Sequence, residues 1–200
     1  MLRLLAALLL LALPATAQDA RPARAAASTL PAAPLAPAAA LAGLPEQLAG
    51  WQRGTVTDFE ARSGGAGLGA GVEYRPGPAQ PGVATIYLYD RGRHGLLPDP
   101  AGPDIGAEMA TALQEVDSLA GIRRYQVAER HPIPAPAGLR CETQTLVFEG
   151  GIRAESPVCL GVVRDRFLKL RLTLPASQPG AAEALAGQFA DAALAGLGGW

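Results

Sequence analysis

Residues 139–174 read LRCETQTLVF, EGG, IRAESPVCLGVV, RDR and FLKLRLTL: three long apolar or alternating runs separated by two short polar turns. Runs rich in β-branched and aromatic residues, bounded by Gly and charged clusters, predict adjacent antiparallel strands. The spacing predicts strands over Leu139–Phe148, Ile152–Val163 and Phe167–Leu174. A three-residue loop at Glu149-Gly150-Gly151 pairs Phe148 with Ile152. Counting back along both runs then sets Cys141 directly opposite Cys159 on one face. A two-residue turn shifts the pairing by one position and parts the two sulfurs. A tight turn at Arg164-Asp165-Arg166 sets Val162 against Leu168, Leu160 against Leu170 and Val158 against Leu172, giving one continuous apolar layer.

Cys141 and Cys159 are the only cysteines. In an oxidising compartment this register predicts a structural disulfide, stabilising the fold by roughly 3 kcal/mol in a chain-entropy model. The alternatives are two free thiols or a metal pair, and two Cys without a nearby His make a poor zinc site.

Upstream, strands are expected over Thr55–Ala61, Leu68–Arg75 and Ala84–Tyr89, separated by Gly/Pro-rich stretches. Asp104 is a suitable N-cap for a helix in which Ile105, Met109, Ala112, Val116 and Leu119 form one apolar stripe and Gly121 a stop. Glu108, Gln114, Glu115 and Asp117 fall on the opposite side of that helix. A strand over Arg124–Pro132 follows, and a thin, alanine-rich helix over Ala181–Leu197 closes the chain. The order is βββαββββα. Strands come in runs, so the fold class is α+β, a mainly antiparallel sheet of six to seven strands packed with two helices. Trp51 and Trp200 are placed at the domain ends.

The N-terminus fixes the compartment. Arg3 precedes an apolar run from Leu4 to Leu13, Pro14 ends it, and Ala15-Thr16-Ala17 offers a small-x-small cleavage pattern. Residues 1–17 are expected to be a signal peptide cut between Ala17 and Gln18, with no Cys nearby to take a lipid. The run is too short to span a bilayer. Residues 18–43, nearly all Ala, Pro, Arg and small polar residues, read as a disordered linker. Residues 44–200 are then one domain, and the mature protein is periplasmic or secreted with no transmembrane segment.

Removing residues 1–17 takes one Arg from 17 basic side chains and none of the 18 acidic ones. That balance argues against nucleic acid as a partner. Gly64–Gly71 is glycine-rich but leads into a strand rather than opening a helix, so it reads as a hairpin connection and not a phosphate loop. His94 shares a loop with Asp99 and Asp104, without metal-ligand spacing; it suggests at most a hydrolase, and a solvated loop is favoured. His131, before Pro132, is a weaker candidate. None of Ser63, Ser118, Ser156 or Ser177 lies in a nucleophile elbow. No catalytic residue, cofactor or metal site is expected. Arg153, Lys169 and Arg171 line up as a candidate basic surface stripe facing an acidic partner or a polymer carboxylate, against the plainer reading of a solvated face balanced by Glu155 and Asp165. Tyr87, Tyr89 and Phe148 are candidates to line a pocket between sheet and helix.

Leu44-Pro45 through Gly50-Trp51, Gly67-Leu68-Gly69 with Tyr74, and Thr85-Ile86-Tyr87-Leu88-Tyr89-Asp90 together resemble a group of uncharacterised exported bacterial proteins. The order of strands and helices is also similar to PsbP/DcrB-like domains, which pack an antiparallel sheet between helices. Those domains mostly serve as accessory or assembly factors. The resemblance implies a non-enzymatic accessory or partner-binding module of the cell envelope, acting on an envelope protein or polymer. The alternative is a small-ligand carrier or sensor.

Overall fold

The computed structural model describes residues 35–78, 80–176 and 180–198. The expected leader with its Ala17–Gln18 cleavage point, the tract up to residue 34, Ser177 and Trp200 lie outside the described residues.

In chain order the elements are α1 (Pro37–Ala42), β1 (Gln47–Leu48), β2 (Trp51–Asp58), β3 (Ala70–Arg75), β4 (Val83–Tyr89), α2 (Pro103–Arg123), β5 (Tyr125–Ile133), β6 (Leu139–Phe148), β7 (Arg153–Glu155), β8 (Val158–Val163), β9 (Arg166–Pro175) and α3 (Ala181–Gly198). Among the described residues the strands form one sheet of nine, with order β1-β2-β3-β4-β9-β7-β6-β5; β8 follows β7 and pairs with both β6 and β9. Every pairing is antiparallel. The fold is therefore α+β, as the pattern of runs predicts. It has two more strands than the seven read from the sequence. One is the short β1, and the other arises because Ser156-Pro157 divides the run 152–163 into β7 and β8.

The cysteine register is as expected. Cys141 pairs with Cys159, flanked by Arg140 with Leu160 and Glu142 with Val158. The two sulfurs are bonded, with 4.1 Å between the Cα atoms. The pairing that starts at the Gly150-Gly151 turn carries through β7 without a slip despite the break at Ser156-Pro157.

The next hairpin is shifted by one residue from the expected register. Val162 faces Phe167, Leu160 faces Lys169 and Val158 faces Arg171. The turn contains two residues, not three: Arg164 and Asp165 both adopt left-handed backbone, with φ of 50° and 61°, as a type I′ hairpin requires. The shift moves Val158, Leu160 and Val162 away from the leucine face of β9 to the opposite one. Both faces are covered, which makes the change tolerable. Leu168, Leu170 and Leu172 join Val72, Tyr74, Ile86 and Phe189 in the layer under α1 and α3. Val158, Leu160, Val162 and Phe167 meet Ile105, Met109 and Ala112 of α2 on the other side. Each fully buried leucine contributes roughly 1.5–3 kcal/mol relative to exposure.

Apart from shifts of one or two residues at strand ends, four boundaries differ from expectation. The first expected strand, Thr55–Ala61, is instead Trp51–Asp58. The linker reading of 18–43 is corrected at its end: Pro37–Ala42 is helical, and Leu41 is fully buried. Proline in the first turn and a row of small alanines let this short helix lie close on β2, β3 and β4. The N-cap of α2 is Gly102 rather than Asp104, with no side-chain cap. The helix also runs past Gly121 to Arg123 and is stopped by left-handed Arg124.

The glycine segment before β3 is packed rather than loose. Gly69 has φ of 62°, and a Cβ there stands 1.9 Å from the Leu88 carbonyl oxygen. Only glycine lets the two backbones meet so closely. At the far side of the sheet Trp51 packs edge-on against Phe189, with ring centroids 5.3 Å apart.

Candidate functional site

Helix α2 lies over β5 and β8, not over the middle of the sheet. Its stripe of Ile105, Met109, Ala112 and Val116 is fully used there. Two consequences follow: a charged cluster under the helix, and a bare sheet face beside it.

The cluster is built on β4, β9 and α2. Glu108, read from sequence as solvent-facing, is only 5 % exposed. Tyr89 donates its hydroxyl to Glu108 at 2.7 Å, and Arg91 donates Nε and Nη2 to the same carboxylate at 2.8–3.0 Å. Arg91 also reaches Glu115 at 3.0 Å, and Lys169 donates to Glu115 at 2.8 Å. Two cations and two carboxylates thus close on one another, so burial is compensated by paired charge. Burial and then the nearby Glu108 charge raise the Tyr89 phenol far above its ordinary value. Hydrogen bonds to Glu108 raise Arg91 in turn. Burial pushes the Glu115 carboxyl upward, but the bonds and charges of Lys169 and Arg91 outweigh it, leaving it below its ordinary value.

The candidate basic stripe is therefore corrected. Lys169 is buried and neutralised by Glu115. Arg153 is exposed next to Ala154, whose side chain packs with Val116 and Leu146 on the α2 side. Strand alternation sends Arg153 to the other face. Of the three, only Arg171 lines an open surface.

That surface is a trough over β2, β3 and β4 bounded by the C-terminal end of α2. Two adjoining hollows of about 650 and 230 Å³ share Glu73, Thr85 and Tyr87. The floor of the larger holds Thr57, Phe59, Gly71 and Tyr87, and the smaller is flanked by Leu119, Arg123, Phe148 and Arg171. Phe59 and Tyr87 form an aromatic strip, 24° from parallel with centroids 6.4 Å apart. Gly71 makes that strip possible, since a Cβ there falls 3.0 Å from the Tyr87 ring and 3.1 Å from Phe59. The Lys169 ammonium sits 4.9 Å from the Tyr87 ring centre.

Of the aromatic candidates, Tyr87 and Phe148 line the trough, whereas Tyr89 is buried beneath α2. Arg75 is paired with Glu73 at 2.7 Å. Among the described residues neither Arg123 nor Arg171 meets a carboxylate.

The His94 grouping is drawn apart by other bonds. Asp104 is engaged by Arg93, and Asp99 accepts from the Ala101 amide at 3.0 Å within its own turn. His94 is exposed. His131 lies 3.3 Å from Glu183 at the start of α3. Ser156 is buried and donates to the Leu172 carbonyl at 3.1 Å where the strand run breaks. Among the described residues no group of three or more His, Cys, Asp or Glu could hold a metal ion, and no helix is long and apolar enough to cross a membrane.

Sequence reasoning missed Glu108, Phe59, Gly71 and Arg123. Phe59 carried a usable signal, because it lies two residues beyond Thr57, one residue past the end of β2. The others depend on where α2 stops covering the sheet, which no local pattern encodes. No family model matches this chain, and no curated protein matches it.

Proposed function

We propose that this protein is an exported, non-catalytic binding module of the cell envelope, and that the trough over β2–β4 is its binding face. The observation that carries the reading is the aromatic pair Phe59 and Tyr87 lining an open hollow, with the guanidinium of Arg171, which meets no carboxylate among the described residues, beside it. On the rest of the sheet, α1 and α3 lie on one face, and α2 lies on part of the other. A concave surface combining aromatic rings with a few polar groups is the usual form of a binding site. The trough is open along its length, so an extended ligand suits it better than a small molecule enclosed under α2. The disulfide and the leader-like N-terminus support an extracytoplasmic setting.

A photo-reactive residue at Thr57, on the trough floor, tests this in envelope preparations against the same residue at Thr111 on the exposed side of α2. The expected result is an adduct formed from Thr57 and not from Thr111. Equal labelling from both positions, or none from Thr57, contradicts the reading.

A further inference from the structure

We propose that the trough takes an acidic saccharide, a run of pyranose rings bearing carboxylates, a ligand class that rests on the binding reading above and makes it specific. The floor supplies what a sugar ring requires. Phe59 and Tyr87 present two near-parallel rings, on which the C–H face of a pyranose can lie. Thr57 and Thr85 stand beside it with hydroxyls that donate or accept. Gly71 between the rings keeps the floor free of a side chain that would lift the sugar away.

Charge selects the acid. Arg53 donates to the Ala42 and Leu44 carbonyls, and Arg62 stands 5.6 Å from the Phe59 ring centre; the other cations nearest the trough divide into two sets. Arg75, Arg91 and Lys169 are each tied to a carboxylate within 3.0 Å. Arg123 and Arg171 also flank the smaller hollow, and among the described residues no carboxylate meets either one. Arg171 is half-buried on β9, in the row next to Tyr87. A guanidinium held partly away from water is a favourable seat for a bidentate carboxylate. A sugar stacked on Tyr87 would bring its carboxylate to that end of the trough.

The same features disfavour other anions. An acidic peptide is usually gripped by adding a strand to a sheet edge. Here the trough lies on a sheet face whose main-chain groups already pair between β2, β3, β4 and β9. Nucleic acid demands a concentrated basic surface, and the chain's formal net charge is −1.

The test is calorimetric titration of the disulfide-intact protein with trigalacturonate, maltotriose and hexaglutamate. Trigalacturonate is expected to bind, more weakly at higher salt, with maltotriose and hexaglutamate each at least about tenfold weaker. Arg171→Gln and Arg123→Gln are each expected to weaken trigalacturonate by about tenfold. Arg123 is exposed on the helix end, so its variant keeps the test valid should Arg171→Gln fail to fold. Equal binding of the neutral trisaccharide or the peptide, no effect of Arg123→Gln, or no binding of trigalacturonate overturns the proposal. In that last case the Thr57 cross-link shows separately whether the trough binds anything, so failure of the ligand class is distinct from failure of the binding reading.

Discussion

Replacing Glu108 with Ala strands two donors at once, the Tyr89 hydroxyl and the Arg91 guanidinium, in a layer sealed by α2. Breaking a fully buried pair costs about 3–5 kcal/mol. A third of the Arg91 side chain stays exposed (34 %), so the expected loss is about 2–3 kcal/mol, read as a lowered midpoint in urea unfolding. An unchanged midpoint would show that water already satisfies Arg91. The neighbouring Glu115 sets a pH dependence. Its carboxyl is lowered in the folded protein from an ordinary value of 4.5. Its contribution is therefore complete above that pH and fades as acid titrates it through the lower folded-state value. Lys169→Met is expected to flatten the acid limb of stability against pH; an acid limb as steep as the parent's contradicts the assignment. Neither carboxylate was legible from periodicity, which assigns charged helix positions to solvent. The cations that hold them come from elsewhere in the chain, Arg91 from the turn after β4 and Lys169 from β9.

The two C-terminal hairpins show what alternation can and cannot decide. The cysteine register was legible because Gly150-Gly151 marks the turn and because two lone sulfurs must meet on one face. Reducing the bridge, or Cys141→Ala with Cys159→Ala, is expected to cost about 3 kcal/mol for its separation of 18 residues. Unfolding unaltered by reductant would contradict that contribution. The following hairpin was read one residue out of register. Strand β8 is apolar on both sides and can turn either face to the leucine row of β9, so hydrophobic pattern does not fix the pairing, and the turn geometry of Arg164 and Asp165 decides. Asp165 adds a second constraint: its carboxylate accepts from the Leu96 amide at 2.6 Å, tying the turn to the loop after β4. The Gly69 backbone is equally exacting. Gly69→Ala is expected to destabilise by more than about 2 kcal/mol, through both positive φ and collision with Leu88, measurable as a fall in Tm. A Tm within a degree of the parent's would mean that the close approach is not maintained.

Across the whole molecule, the proposed binding face follows from uneven coverage of one sheet. The class, the apolar face of β3, β4 and β9, and both long helices were legible, because each repeats at its own period over many residues. Helix α1 was not, since a tract of mostly Ala and Pro with three scattered leucines has the composition of a linker. Its contribution is testable by comparing chains that begin at residue 35 and at Leu44. The shorter one loses Leu41, whose burial alone is worth about 2–5 kcal/mol, and a markedly lower urea midpoint is expected. Equal midpoints would return 35–43 to the status of a linker. The trough was illegible for a related reason: it exists because α2 packs to one side, over β5 and β8. The most direct measurement of its role is amide chemical-shift mapping of the disulfide-intact protein during titration with trigalacturonate. The account predicts shifts confined to residues 52–59, 71–75, 83–87, 119–125, 146–148 and 171–173. Shifts centred on α3, or none at saturating ligand, would contradict it.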